Sequence, residues 1–334
     1  MDLTTNYMGF HLPNPFIAGA GPLSDTVAGA RRLEDAGASM IVLRSLFEEQ
    51  ITAESLATHQ ALHEPAHSFG EAATYLPEPS EFAVGPQEYL AHLQRVREAV
   101  DAPVLASLNG TTPGGWLEYA RLAEQAGADG IELNLYVLNA DPEIEGRLIE
   151  ARLESVIRSV SEAVHIPVAV KLSPFFTSLA NFASRAATVG ADALVLYNRY
   201  FAADVDLEML AAVTHLHLST SADLLPRLRW LAILFDRVEA SLAVTGGVHT
   251  AVDAVKAMMC GASAVQTTSA LLLHGPEHLR RLRTDLAAWL EENEYANLRQ
   301  LVGSLSLSRC PNPQVYERAN YMHLLQTWQG VSAE

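Results

Sequence analysis

The chain has 334 residues, 49% hydrophobic and 18% charged, enough to bury a large core and ordinary for a soluble enzyme. Its net charge of −17 argues against nucleic acid or an anionic membrane as partner, because phosphates would be repelled, but leaves room for a small anion in a locally basic pocket. No apolar run approaches the roughly 20 residues that span a bilayer, MDLTTNYMGF lacks a signal-peptide pattern, and the two cysteines, Cys260 and Cys310, imply no disulfide framework, so a cytoplasmic location is expected.

In chain order, one unit repeats: a short apolar strand, then a helical periodicity. Strands are predicted at FIAGAG (16–21), MIVLRS (40–45), VLASLN (104–109), GIELNLY (130–136), VAVKLSP (168–174), ALVLYN (193–198), LAVTGGV (242–248) and AVQTTSA (264–270). Helical stretches between them include 117–127, 147–164 and 249–261. Ala36-Gly37-Ala38, Ala126-Gly127-Ala128 and Val189-Gly190-Ala191 each supply a glycine for a left-handed helix end before the next strand. Eight near-continuous apolar strands alternating with helices predict an α/β fold, a (β/α)8 barrel spanning 1–334 as one domain. An open doubly wound sheet is disfavoured, because no GxGxxG follows the first strand and the strands number eight.

Two regions break the rhythm. An insertion at about 46–86 follows the second strand and is expected at the C-terminal rim, as a substrate lid or as a structural loop. From about residue 294 a C-terminal helical tail is expected to pack its apolar side on the barrel. His63-Glu64-Pro65-Ala66-His67 spells HExxH, but Pro65 breaks the helix that would align the two histidines, so no metal is expected. His215 and His217 alternate as on a strand, without an acidic partner set. Cys260 reads as a buried small hydrophobe, and Cys310 as inert.

Chemistry concentrates at the strand ends. VTGGVHT carries the pair Gly246-Gly247 into a helix, and QTTSA ends the eighth strand with Thr268 and Ser269. Backbone amides and hydroxyls converging beside helix N-termini favour a phosphate. Lys171 lies within an apolar strand, where a charge needs a partner. It could hold an anionic ring, form a Schiff base, or pair with Glu132. Asn134 and Asn198 add donors and acceptors at the same rim.

GIELNLYVLN (130–139) resembles the ELNxSCPN signature of the dihydroorotate dehydrogenase family. LPNPFIAGAG (12–21) is similar to its opening LxNPxxxASG strand, IVLRS to its VTKS strand, VAVKLSP to its VKxxP strand, and VLYN to the strand ending in a substrate-binding Asn. VTGGVHTAVDAVKAMMCGASAVQTTSAL resembles its whole phosphate-binding end. The resemblance covers most of the chain and is nearest the class 1 branch. It implies a flavin mononucleotide (FMN) cofactor, a small pyrimidine-like substrate, and two-electron redox at a CH–CH bond. It places the phosphate on Gly246, Gly247, Thr268 and Ser269, and the ring beside Gly19, Ala20, Ser45 and Lys171, with Asn109 as a further contact. Substrate falls to Asn134, Asn139 and Asn198, with Arg44 a further substrate-binding candidate and, together with Lys171, a catalytic one; Asn134 is also a cofactor contact. By analogy it also implies a homodimer or an electron-transfer subunit.

The departures fall on the reaction itself. The family's VTKS lysine is Arg44, which keeps the charge in a planar fork. SCPN becomes Tyr136-Val137-Leu138-Asn139, so the family's Cys or Ser base is Val137, and the base is unassigned. The family's NSMGLPN loop has as nearest text EAATYLPEP (71–79), without its Asn. Loss of a general base costs roughly 10²–10⁴ in rate, so dihydroorotate itself is the less expected substrate. Two other readings are a flavin-binding protein without turnover and a Schiff-base lyase using Lys171.

Overall fold

The computed structural model describes residues 1–47, 86–109, 113–198, 203–317 and 320–327. Eight parallel strands close a barrel: β1 (Phe16–Ala18), β2 (Ile41–Val42), β3 (Val104–Asn109), β4 (Gly130–Leu135), β5 (Val168–Leu172), β6 (Ala193–Leu196), β7 (Ser241–Thr245) and β8 (Ala264–Thr267). Each pairs with the next in sequence, and β8 returns to β1 with Val265 opposite Phe16. The (β/α)8 expectation holds, with one barrel strand falling on each of the eight apolar runs, β7 starting one residue earlier than expected. A two-residue strand, Leu46–Phe47, extends the pairing along the end of β3.

The runs lack alternation because both faces are buried. Phe16 and Ala18 pack outward against the helices while Ile17 joins the barrel interior, and Ile41 and Val42 divide the same way. Outside stand α1 (Val27–Asp35), α2 (Pro86–Arg97), α3 (Pro113–Gln125), α4 (Gly146–Ser161), α5 (Leu179–Thr188), α6 (Leu225–Leu234) and α7 (Ala251–Met259), with α8 (Ser269–His274) and α9 (His278–Glu292) after β8. Gly37, Gly127 and Gly190 have φ of +102°, +93° and +115°, the left-handed helix ends their positions required.

An antiparallel hairpin, Thr5–Tyr7 with Phe10–Leu12, stoppers the N-terminal end of the barrel. Thr5 Oγ1 donates to the Ser263 carbonyl at 2.8 Å, Met8 N donates to Ser241 Oγ at 3.2 Å, and Tyr7, Met8 and Leu12 join the interior cluster. A second hairpin, Ala203–Asp206 with Ala211–Thr214, lies between β6 and α6. His215 and His217 follow that hairpin rather than forming a strand. No group of three metal-ligating side chains occurs among the described residues.

Past α9, Leu298 and Leu301 enter the core, Leu305 N donates to the Met259 carbonyl at 2.8 Å and Leu307 N to that of Ala232 at 2.9 Å. This segment therefore crosses α6 and α7, before a short helix α10 (Asn320–Thr327). The insertion expected at about 46–86, with its HExxH and EAATYLPEP, lies almost wholly outside the described residues. Among the described residues no helix is long and apolar enough to cross a membrane.

Candidate active site

The barrel interior is polar in one layer. Glu132 and Asn134 lie two residues apart on β4, so both point inward, and Lys171 on β5 is the register partner of Asn134. Lys171 Nζ donates to Glu132 Oε1 at 3.0 Å, and Gln266 Nε2 on β8 donates to Glu132 Oε2. Glu132 is 0% exposed, so this carboxylate depends on those partners. Gln266 Oε1 is buried without one. Beneath the layer, burial and then the Glu132 charge push the Tyr7 phenol well above its ordinary range.

Asn134 turns sideways rather than into open space. Its Nδ2 donates to Ser107 Oγ at 2.8 Å, Ser45 Oγ at 3.0 Å and the Leu108 carbonyl at 3.3 Å, and the two serine hydroxyls lie 2.8 Å apart. One amide thereby ties β3 and β4 to the segment that follows β2 at the rim.

Next to this layer opens a cavity of about 550 Å³ at the C-terminal mouth. Seven of the residues singled out from sequence line it: Ala20, Lys171, Asn198, Gly246, Gly247, Thr268 and Ser269. Gly246 and Gly247 have φ of +79° and +86°, which other residues rarely adopt. Gly247 N donates to Ser219 Oγ at 3.2 Å, and Ser219 N donates to Ser269 Oγ at 3.1 Å, so Ser219 stitches the ends of β7 and β8 together. Gly19 abuts the same corner, where a Cβ would sit 2.6 Å from Thr268 Oγ1.

Sequence reasoning missed several cavity residues: Tyr197, Ser219, Arg227 and Gln266. Gln266 had one available signal, a long amide at an inward position of an apolar strand. Arg227 and Ser219 had none, since each sits in a segment that reads as an ordinary helix start or loop. Tyr197 is 2% exposed and its hydroxyl is without a partner.

α7 begins in a capping box of Thr250 and Asp253. Burial acts to raise the Asp253 carboxyl, but hydrogen bonds from Ser221, His249 N and Thr250 outweigh it and hold it below its ordinary value. A depressed carboxyl stabilises the fold above the unfolded value near 3.8, and that contribution is lost as pH falls through the folded one. Asp253→Asn should therefore lower stability in urea at pH 7 by roughly 1–2 kcal/mol. The gap to wild type should narrow below about pH 4; a gap independent of pH would exclude the charged cap.

Other expected site residues lie elsewhere. Arg44 is ion-paired with Asp25 and its side chain is 44% exposed. Burial raises the Asp25 carboxyl, and Arg44 offsets this only in part. Val137 is 42% exposed, and Asn139 is exposed and donates to the Asp141 carbonyl at 3.0 Å. Asn109 ends β3, half-buried opposite Phe47. Ser45 and Asn134 belong to the rim cluster and not to the cavity lining.

A parallel eight-stranded barrel with a charged interior layer and a glycine- and hydroxyl-rich mouth at β7 and β8 defines the class of α/β-barrel enzymes that work at their C-terminal face. The dihydroorotate dehydrogenase family profile matches residues 82–290. The catalytic subunit of dihydroorotate dehydrogenase B (NAD(+)) from Methanocella arvoryzae is 31% identical over 81% of this chain and 87% of its own. The protein of the same name from Methanosarcina mazei is 30% identical over 88% and 92%. An Aeropyrum pernix protein provisionally named dihydroorotate dehydrogenase A (fumarate) is 27% identical over 90% and 97%. The chain belongs to the dihydroorotate dehydrogenase family, and is thereby an oxidoreductase of the class acting on CH–CH bonds.

Proposed function

We propose that this enzyme carries FMN in the mouth cavity and uses it for two-electron redox of a small, polar, pyrimidine-like molecule. The cavity that joins Lys171 to the Gly246-Gly247 corner carries this reading. Its features suit such a cofactor. Gly19 and Gly21 leave no room for a Cβ against Thr268, so backbone can approach a ligand closely there. Gln266 Oε1 and the Tyr197 hydroxyl are buried polar atoms with no hydrogen-bond partner among the described residues. Thr268 and Ser269 offer hydroxyls beside left-handed backbone that presents amides.

When bound, FMN would supply the two-electron acceptor. The chain's own residues would do the rest. Lys171, fixed by Glu132, would hold positive charge where negative charge develops on reduction, without needing to reorganise. Asn198 would orient a polar substrate at the mouth. Gly246, Gly247, Thr268 and Ser269 would hold the phosphate.

The proton is the open step. Val137 cannot accept one, and Asn139 and Arg44 are engaged outside the cavity. We therefore propose a substrate other than dihydroorotate. These same residues favour one second reading, a flavin-binding protein without turnover. A lyase is the weaker reading, since a Schiff base at Lys171 would strip the buried Glu132 of its cationic partner. The catalytic-subunit names of relatives support a partner that passes electrons on, and the low cysteine content supports a cytoplasmic setting.

The visible spectrum of the purified protein, before and after denaturation, tests the cofactor. A flavin spectrum that is released as FMN is expected, and a colourless protein that takes up no flavin would sink the proposal. On anaerobic mixing with dihydroorotate the flavin should stay largely oxidised; rapid bleaching would overturn the substrate assignment alone.

A further inference from the structure

We propose that His249 is a positioning residue for the cofactor phosphate, acting through Ser219 to couple phosphate binding to the uptake of a proton, an inference that rests on the FMN reading above. Ser219 is the hub of the glycine corner. Its Oγ accepts from Gly247 N at 3.2 Å and its backbone N donates to Ser269 Oγ at 3.1 Å, and all three residues line the cavity. His249 stands behind it, outside the lining, with Nε2 3.2 Å from the same Oγ.

A hydroxyl has one proton to give and two lone pairs to accept with. Gly247 N takes one lone pair. A neutral His249 with a bare Nε2 takes the hydroxyl proton, which then points away from the cavity. An imidazolium can only donate. Its Nε2–H takes the second lone pair, and the hydroxyl proton turns toward the cavity. Protonation of His249 thus adds a donor to a corner of glycine amides and a positive charge behind it, and both favour a phosphate.

The residue is fixed from two helices. His249 N donates to Asp253 Oδ2 on α7 at 3.1 Å, and His278 Nε2 on α9 lies 2.8 Å from the His249 carbonyl. The titratable groups facing the ring are Asp253, His274 on α8 and His278, the last two with ring centres 4.8 Å apart. The 3-10 turn Ser221–Leu224 and α6 after it bring Asp223 and Arg227, one charge of each sign, to the cavity lining. Burial first, then His274 and His278, hold His249 below its ordinary value, and Asp253 opposes them only in part. A phosphate dianion at the corner pulls that value up. A ligand that raises the pKa of a group in its site binds more tightly as pH falls through that range.

The alternative role is a strut that packs α7 against the mouth. The affinity of apoprotein for FMN, followed by fluorescence quenching between about pH 8 and about pH 6, separates the two. The phosphate takes up its own proton near pH 6 in every variant, so wild type is compared with His249→Gln, which keeps a neutral polar group that does not titrate. The advantage of wild type over the variant should grow roughly 10-fold from the upper to the lower pH. Riboflavin, which lacks the phosphate, should show no such growth. In the wild type alone, the His249 ring resonances should titrate at higher pH with FMN bound than in the apoprotein, a readout that does not depend on how the variant folds. An advantage independent of pH, equal growth for the two flavins, or an unmoved His249 titration would overturn the role of His249 with the flavin reading intact. Wild type that binds neither flavin would fell the flavin reading and this inference together.

Discussion

Lys171→Met should cost roughly 3–5 kcal/mol of stability, because it leaves a fully buried carboxylate without its cation. Glu132 has two partners, the Lys171 ammonium and the Gln266 amide, and Gln266 alone cannot balance a charge. Adding Glu132→Gln to the Lys171→Met chain removes that charge and should recover most of the loss. Urea unfolding of the wild type, both single variants and the double variant gives the coupling directly. Additive losses would show that the two groups do not act as a pair. The double variant should also separate stability from chemistry, since it restores the fold without restoring the cation beside the cavity.

Gly247→Ala should have the next largest effect, a loss of roughly 2–4 kcal/mol from left-handed strain combined with overpacking. A Cβ there would fall 2.4 Å from Leu224 N and 2.8 Å from Leu224 Cα, and backbone atoms cannot swing aside as a side chain can. The 3-10 turn before α6 would have to move, and the Ser219 hydroxyl that accepts from Gly247 N would move with it. Gly275 is the internal control. Its φ is +79° with ψ of 168°, a positive-φ conformation nearly restricted to glycine, yet nothing lies within 4 Å of its missing Cβ, so Gly275→Ala should show backbone strain alone, about 1–3 kcal/mol. Thermal or urea unfolding of the two variants decides the matter. Equal losses would show that the crowding at Leu224 is relieved without cost.

The barrel was legible because its strands are buried on both faces. A run such as VLASLN has nowhere polar to point, so it stands out from its surroundings and its ends fall at Val104 and Asn109. The glycine corner was legible for a related reason, since few residues tolerate a left-handed turn leading into a helix. The two hairpins were not. Thr5–Tyr7 with Phe10–Leu12 is three residues a side and mixed in polarity, and Ala203–Asp206 with Ala211–Thr214 is exposed, so neither carries a hydrophobic period. Asn134 shows the limit at the site. Sequence places it inward at the rim, but only the fold brings Ser45 and Ser107 close enough to occupy its amide. Arg227 shows the converse, a cavity cation inside LPRLRWLAIL, whose neighbours Arg229 and Leu228 give it no distinction in the sequence.

The junction of β8 with β1 has a kinetic meaning. Thr267 Oγ1 reaches the Ile17 carbonyl across 250 residues of chain, and Thr5 reaches Ser263 across 258. Every other barrel pairing joins consecutive strands, so this one alone brings together segments from nearly opposite ends of the barrel sequence and is the contact of highest sequence separation. The Gly19–Thr268 corner straddles that junction. During synthesis the mouth of the barrel is therefore the last part to exist, and whatever ligand fills it binds only the finished ring. Such a ligand works as a latch: by mass action it holds shut the joint that the chain closes last.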